Sequence, residues 1–510
     1  MKNNRKTLTA HSNSSASPDR AQGGSTNYDL MFGSQTESVI GPEQFIPNIM
    51  PMGFDSVLVD SVAAKAKQTK QWVLVFIIGT KPCFYKFWGS IAAAAEAGVP
   101  YLIVDCGQHY DPLLTHGTQE FGYRDEIGIH LNVRGDLVQK SGELFFKMSW
   151  LGRYLGKKWP TVTAVPVVLG DTLMTSIVPA AWLFTRTQRS IQNEAGLRSM
   201  TPTVMRKLAS HSAIPLDRFF QDQQKGPWER LTNEPFPEQY DTFTSAAGSQ
   251  FLFAPTELNK KHLIQEGYAA ENIFVIGGVV VDALELKRSQ KPTQSIFQVY
   301  PALQKNRWIR IDIHRKENLT RRRFAAIIGA IRKLVLKGYY VNFVEMNATK
   351  VALEQYGLRQ ELLSLRNKKN YLHTPIWQEY SQVLEFYQSN SCLAALTDSG
   401  GLQEELNILG KICLTCRFNT DRPESVTEGR GNLLVPPISA EFIFRAVDHV
   451  CKSESWRHSL QNTKPLYGSR VGEKLIHTVQ ELMRSHRKPF EWAHERLGFW
   501  TDPNDSTPFL

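Results

Sequence analysis

Cysteine is scarce in this 510-residue chain: six residues, too few for the dense disulfide framework of a small secreted scaffold. Long apolar runs are missing as well. No stretch approaches the roughly 18 consecutive apolar residues of a transmembrane helix, and the opening MKNNRKTLTAHSNSS develops no apolar core of a secretory signal. No Walker motif, no established nucleic-acid-binding module and no short-period internal repeat is visible. Cys413 and Cys416 form a C-x-x-C without a second pair, and a structural zinc needs four ligands, so no metal is expected. Charged residues, at 21%, and hydrophobic ones, at 42%, sit near globular averages, which excludes a fibrous or wholly disordered chain. The expectation is a soluble cytoplasmic protein with no membrane span and no nucleic-acid partner. Its net charge of +10, from 59 Lys+Arg against 49 Asp+Glu, suits anionic ligands.

At about 100–200 residues per domain, this length predicts two to four domains. Eighteen of the first 40 residues are Ser, Thr, Asn or Gly, and such a stretch cannot bury enough surface to offset its ordering entropy. Residues 1–68 therefore read as a disordered or loosely packed extension. Beyond it come short β-branched runs bounded by Gly, Pro or Asp: 71–78, 100–106, 163–171, 251–257 and 272–278, then 307–313, 339–346, 392–398 and 411–416. Amphipathic stretches such as FAAIIGAIRKLVLKG (324–338) lie between many of them. That alternation predicts an α/β chain of parallel sheets buried on both faces. The break near 283–306 predicts two Rossmann-like doubly wound domains, 69–283 and 284–486, with a tail over 487–510. In such sheets ligands bind beyond the C-terminal strand ends, so the residues there carry the information.

The run 392–398 continues into TDSGGLQEE. Asp398 or Ser399 can cap a helix ending at Gly410, and Gly400 and Gly401 would let a phosphate approach the free N–H groups of its first turn. Glu404 and Glu405 suit the helix dipole; Glu405 alternatively suits sugar hydroxyls. Taken alone, the pattern fits a plain capped helix as well. After the first run, GTKPCFYK places Lys81 and Lys86 where they can meet an anion or simply be solvated. Asp171 follows its run as an N-cap or a functional carboxylate. Glu194, Glu238 and His314 stand beside Gly, Pro or a strand end, and none carries a function by itself.

Eight stretches occur in one order: GQHYD (107–111), GDT (170–172), EAGLR (194–198), FAPTE (253–257), VDAL (281–284), HRKEN (314–318), TDSGGLQEE (397–405) and RPESVTEG (422–429). On these the chain resembles the UDP-N-acetylglucosamine 2-epimerase family from about residue 72 to 485. The resemblance implies two Rossmann-like domains facing across a cleft, the glycosyltransferase-B arrangement. It also implies a homodimer, no cofactor, and a UDP-sugar substrate epimerised by elimination and re-addition of UDP. It places Asp171, Glu194, Glu238 and His314 as catalytic residues. Lys81, Ser399, Gly400 and Gly401 would meet the diphosphate, and Glu405 the ribose; Lys86, read from GTKPCFYK alone, joins them as a candidate substrate-binding cation. Gln108 and His109 match a segment that contributes to an activating substrate site in bacterial non-hydrolysing members.

The chain departs from the family's pattern at several places. Lys81-Pro82-Cys83 stands for Arg-Pro-Glu, which loses the bidentate fork of arginine. Gln192-Asn193 replaces His-Val, Asp241-Thr242 replaces Asn-Arg, and Glu345 replaces a histidine. A longer connection at about 199–234 adjoins the active-site motifs and suits a lid or a partner surface. The four acid/base positions are all retained. The expectation is thus epimerase chemistry, non-hydrolysing rather than hydrolysing; a glycosyltransferase or a non-catalytic nucleotide-sugar-binding protein are the alternatives.

Overall fold

The computed structural model describes residues 51–109, 117–186, 188–209 and 214–500. In chain order the strands are β1 (Gly53–Phe54), β2 (Val73–Ile78), β3 (Tyr101–Asp105), β4 (Ile127–His130), β5 (Ala164–Leu169), β6 (Ser190–Asn193), β7 (Thr201–Pro202), β8 (Trp228–Glu229), β9 (Ser249–Ala254), β10 (Ile273–Val275), β11 (Trp308–Asp312), β12 (Tyr340–Glu345), β13 (Tyr371–Pro375), β14 (Cys392–Thr397), β15 (Cys413–Thr415) and β16 (Asn432–Leu434). They form an eight-stranded sheet, β1-β4-β3-β2-β5-β6-β9-β10, a six-stranded sheet, β13-β12-β11-β14-β15-β16, and a β7–β8 ribbon. Both large sheets are parallel except for β1, which pairs antiparallel with β4. Two Rossmann-like halves result, in the glycosyltransferase-B arrangement.

Central strands are apolar because helices cover both faces. All six residues of β2 are buried. The C-terminal helix Val471–Arg484 leaves the second half and packs on helix Trp88–Glu96 of the first. Gly472 permits the contact, since a Cβ there would lie 2.2 Å from the Gly89 carbonyl oxygen. The tail beyond follows the first half, with Arg487 bonding Asn272 at 2.5 Å and Arg496 bonding Glu271 at 2.7 Å.

Two regions differ from the sequence-based expectation. Residues 1–50 of the expected loose extension lie outside the described residues, but its end is ordered. Asp55 caps helix Ser56–Thr69, which buries Val59, Val62, Ala63 and Ala66. Their i, i+3, i+4, i+7 spacing makes one apolar face, a signal masked by the polar composition upstream. The second region is the connection at 199–234. Its described residues leave the first sheet and join the core of the second half: Val204, Met205, Phe219 and Phe220 pack with strand and helix residues there.

Candidate functional site

A cavity of about 270 Å³ lies between the halves, at the C-terminal ends of β2, β5, β11, β12 and β14. Lys81, Lys86, Asp171, His314, Ser399, Gly401 and Glu405 line it, joined by Tyr85, Arg310, Asp312, Arg315, Trp377, Tyr380 and Arg422. A larger groove of about 780 Å³ beside edge strand β10 brings together none of these residues.

The wall from the second half is built on backbone. Ser399 caps helix Gly400–Ile408 by accepting from the Leu402 N–H, and Gly410 follows the helix at φ +62°. Gly401 lies in the cavity wall, where a Cβ would meet only Glu405 Oε1 at 3.9 Å; at Gly400 it would lie 3.1 Å from Arg422 Nη1. Asp398 does not cap this helix. Its buried carboxylate accepts from the N–H groups of His314 at 3.1 Å and Arg315 at 3.0 Å, and from Asn318 Nδ2 at 3.0 Å. The HRKEN loop is thereby tied to the glycine helix. His314 Nδ1 lies 3.3 Å from Asp398 Oδ1.

The wall from the first half is built on ion pairs that cross the cleft. Lys86 Nζ is 2.5 Å from Glu194 and 3.6 Å from Glu404 of the glycine helix. Burial works against the lysine charge, but the two carboxylates outweigh it and hold Lys86 above its ordinary value. Arg422 bonds Glu404 at 3.0 Å, also pairs with Asp421, and reaches within 4.0 Å of Asp171. Glu238 opens helix Glu238–Gly248 and pairs with Arg315 across the cleft. Burial pushes the Glu238 and Glu194 carboxyls up, against the pull of Arg315 and Lys86 respectively. Gly170, at φ +73°, lets Asp171 follow β5 closely; a Cβ there would sit 3.0 Å from Glu194 Oε2. Tyr85 stacks on Tyr380 across the cleft at 4.9 Å, and both flank Glu405. Burial pushes the Glu405 carboxyl up to about 8.

Of the residues singled out from sequence, Lys81, Lys86, Asp171, His314, Ser399, Gly401 and Glu405 converge on the cavity. Glu194 and Glu238 stand one ion pair behind it, through Lys86 and Arg315. His109 Nδ1 accepts from the Lys81 N–H at 3.0 Å, and the Gln108 carbonyl accepts from Lys140 at 3.0 Å. Tyr110 and Asp111 of that motif lie outside the described residues. Lys86 is engaged by two carboxylates rather than open to an anion.

The departures also find their places. Cys83 is buried under Thr80, its thiol pushed up to about 12 by burial. Glu345 faces away from the cavity and pairs with His373 and Arg359, while its neighbours Val344 and Met346 line the cavity. Asp241 accepts from Ser176 at 2.6 Å, and burial pushes its carboxyl up to about 7. Gln192 donates to the Thr242 carbonyl at 3.2 Å.

Arg310, Asp312, Arg315, Arg422, Trp377 and Tyr380 were missed as site residues. Arg310 and Asp312 carried a signal: two charged residues at alternate positions of an otherwise apolar strand share one face, and a parallel strand buried on both faces has no other use for them. Arg310 lies over the Trp377 ring at 3.7 Å. The stretch holding Trp377 and Tyr380 carries no periodicity that would mark it.

The sequence model of one family, described as UDP-N-acetylglucosamine 2-epimerase, matches residues 232–480. The UDP-N-acetylglucosamine 2-epimerase of Methanocaldococcus jannaschii is 26% identical over 412 residues, covering 79% of this chain and 97% of that protein. The protein of that name from Methanococcus maripaludis is 31% identical over 231 residues, 44% of this chain and 60% of its own length. Among solved structures, the M. jannaschii enzyme in complex with UDP-GlcNAc and UDP superposes with a TM-score of 0.62 at 25% identity, covering 80% of this chain and 99% of that one. The Neisseria meningitidis enzyme bound to UDP-GlcNAc, at 22% identity, shares the fold with a TM-score of 0.64 over 81% of this chain and 100% of its own. With its two-walled cleft and the motifs that line it, the chain is similar in sequence and in fold to UDP-N-acetylglucosamine 2-epimerases.

Proposed function

We propose that the protein interconverts UDP-N-acetylglucosamine and its manno epimer by eliminating UDP and adding it back. The observation that carries this reading is the convergence, on one cavity, of a glycine-rich helix N-terminus, cations, an imidazole and carboxylates from both halves. The C2 proton is poorly acidic, so its removal must be coupled to departure of a good leaving group. A carboxylate takes the proton, the bond from C1 to the diphosphate oxygen breaks, and its electron pair leaves with UDP. The C2–H electrons form the C1–C2 double bond of 2-acetamidoglucal. Return of the diphosphate oxygen to C1, with protonation of C2 from the opposite face, completes the inversion. Nothing is oxidised or reduced overall, so the reading calls for no cofactor.

In this scheme Ser399, Gly400, Gly401 and Lys81 hold the diphosphate, and His314, oriented by Asp398, stabilises the charge on departing UDP. Asp171 is the one of the three matched acid/base carboxylates in the cavity wall, and it takes the C2 proton. Glu238, raised by burial, returns a proton to the other face, and Glu194 fixes Lys86. Glu405 accepts from the ribose hydroxyls, which draws its carboxyl back toward the ionised form. Cross-cleft contacts by Lys86, Tyr85 and Arg422 favour retention of the glucal and hence a non-hydrolysing outcome. Gln108 and His109, adjoining Lys81, belong in this reading to an activating substrate site.

Among the described residues no helix is long and apolar enough to cross a membrane. Exposed Phe146, Trp150 and Phe184 on the first half suit a homodimer contact in a cytoplasmic enzyme.

The test is incubation with UDP-N-acetylglucosamine in deuterated water, with C2–H followed by NMR. Deuterium at C2 and a manno product are expected. UDP release only when an acceptor is added would replace this reading by a glycosyltransferase, and tight UDP binding without any turnover would replace it by a binding protein.

A further inference from the structure

We infer that the segment at 199–234, none of whose described residues lines the cavity, positions Glu238 by carrying the placement of the second half into the first; the inference rests on the epimerase reading. The anchor is helix Leu216–Lys225. Phe219 and Phe220 are wholly buried in the second half's core, their rings against Phe442 at 5.7 Å and Trp456 at 5.6 Å. Gln223 donates to the Leu434 carbonyl at 3.0 Å and accepts from its N–H at 2.8 Å, which extends the β16 edge. Asp217 accepts from Trp456 Nε1 at 2.7 Å and lies 2.8 Å from His449 Nε2. By burial and hydrogen bonding this helix moves with the second half.

Two legs connect the anchor to the first half, and they differ. On the outgoing leg Arg198 is held by Glu266 of the first half at 2.6 and 2.7 Å, before Met200 exchanges both backbone hydrogen bonds with Thr420 of the second half. Glu194 is thus insulated by a bidentate pair. The returning leg meets the first half once, where Arg230 bonds the same Glu266 at 2.6 Å, and from Glu234 onward it is held by the second half almost to its end. Arg323 and Asn419 Nδ2 reach Glu234 at 3.2 Å, and the Phe236 N–H donates to Glu317 Oε1 at 3.0 Å. Glu238 follows two residues later, about 7 Å of extended chain at ~3.5 Å per residue, and is met there by Arg315. Separation of the halves by more than a few ångströms must therefore pull on Glu238 while leaving Glu194 in place. Gln239 accepts from the Ser199 N–H at 2.8 Å and joins the two legs beside the carboxylate. Phe219, Phe220 and Gln223 are positioning residues on this account.

The test compares wild type with Phe219→Ala/Phe220→Ala, and with the milder Gln223→Ala should the double variant fold poorly. The expected result is a fall of at least tenfold in kcat for C2–H exchange per folded molecule, about threefold for Gln223→Ala, with the Kd for UDP within twofold. The acid limb of the kcat profile should shift as Glu238 loses Arg315, and Phe219→Leu/Phe220→Leu should restore most of the rate. Amide hydrogen exchange supplies a readout without turnover: UDP should protect residues 234–242 in wild type and not in the alanine variant, while 190–196 behaves alike in both. Unchanged kcat in a folded variant, parallel loss of kcat and UDP affinity, or equal UDP protection of 234–242 in variant and wild type would each overturn the inference. Absence of C2–H exchange in wild type would instead remove the epimerase reading, and the amide protection would then decide the positioning role alone.

Discussion

The two walls of the cleft are made from different materials. The second half presents a capped helix start, two glycines and a loop pinned by Asp398, all arranged within its own fold. The first half presents charged side chains whose partners lie mostly in the other half: Lys86 with Glu404, Asp171 near Arg422, Glu238 with Arg315. A wall of backbone is complete before the halves meet; a wall of crossed ion pairs exists only once they do. On the proposed function, the nucleotide is held mainly by the second half, with Lys81 added from the first, and the chemistry belongs to the assembled cleft.

Unequal substitutions should expose this difference. Lys86→Met leaves Glu194 and Glu404 buried without their shared cation and should cost ~3–5 kcal/mol in denaturant unfolding, with Glu404→Gln returning part of it. Ser399→Ala removes only a cap and should cost about 1 kcal/mol; equal losses would erase the contrast. Asp241, buried behind the first wall, gives the next effect. Its folded carboxyl lies near 7, well above the unfolded value, so the folded state holds the extra proton and its burial penalty grows as pH rises through that window. Asp241→Asn should then stabilise by ~1–2 kcal/mol at about pH 8 and by little at about pH 4, read from unfolding midpoints at each pH. The smallest effect concerns Glu405. With its carboxyl raised to about 8 and, on the proposed function, the ionised form required by ribose, UDP affinity should climb several-fold from about pH 7 to pH 9 and then level. Calorimetry on Glu405→Gln should find weaker binding with that slope removed.

The second wall was the more legible one in the sequence, for the same reason. A cap, two glycines and a helix stop are local features, and TDSGGLQEE displays them within nine residues. The nine strands read from apolar runs all exist as strands. Those overlooked are short, polar or interrupted. β6 is Ser-Ile-Gln-Asn, buried through partners such as Ser249 and Thr242 from distant positions, and β13 ends in proline. Cross-cleft pairs such as Glu238–Arg315 span 77 positions and leave no spacing to read. The placement of 199–234 in the opposite core was equally hidden, because its apolar residues fit either half and only packing decides between them.

The most direct test of the account is deuterium incorporation at C2 of UDP-N-acetylglucosamine by Glu238→Gln beside wild type, with UDP binding measured on the same samples. Incorporation by wild type, a loss of about 10²-fold or more in the variant, and unchanged UDP affinity are the results the account predicts. Incorporation by the variant at the wild-type rate would contradict it, because Glu238 would then have no part in moving the C2 proton.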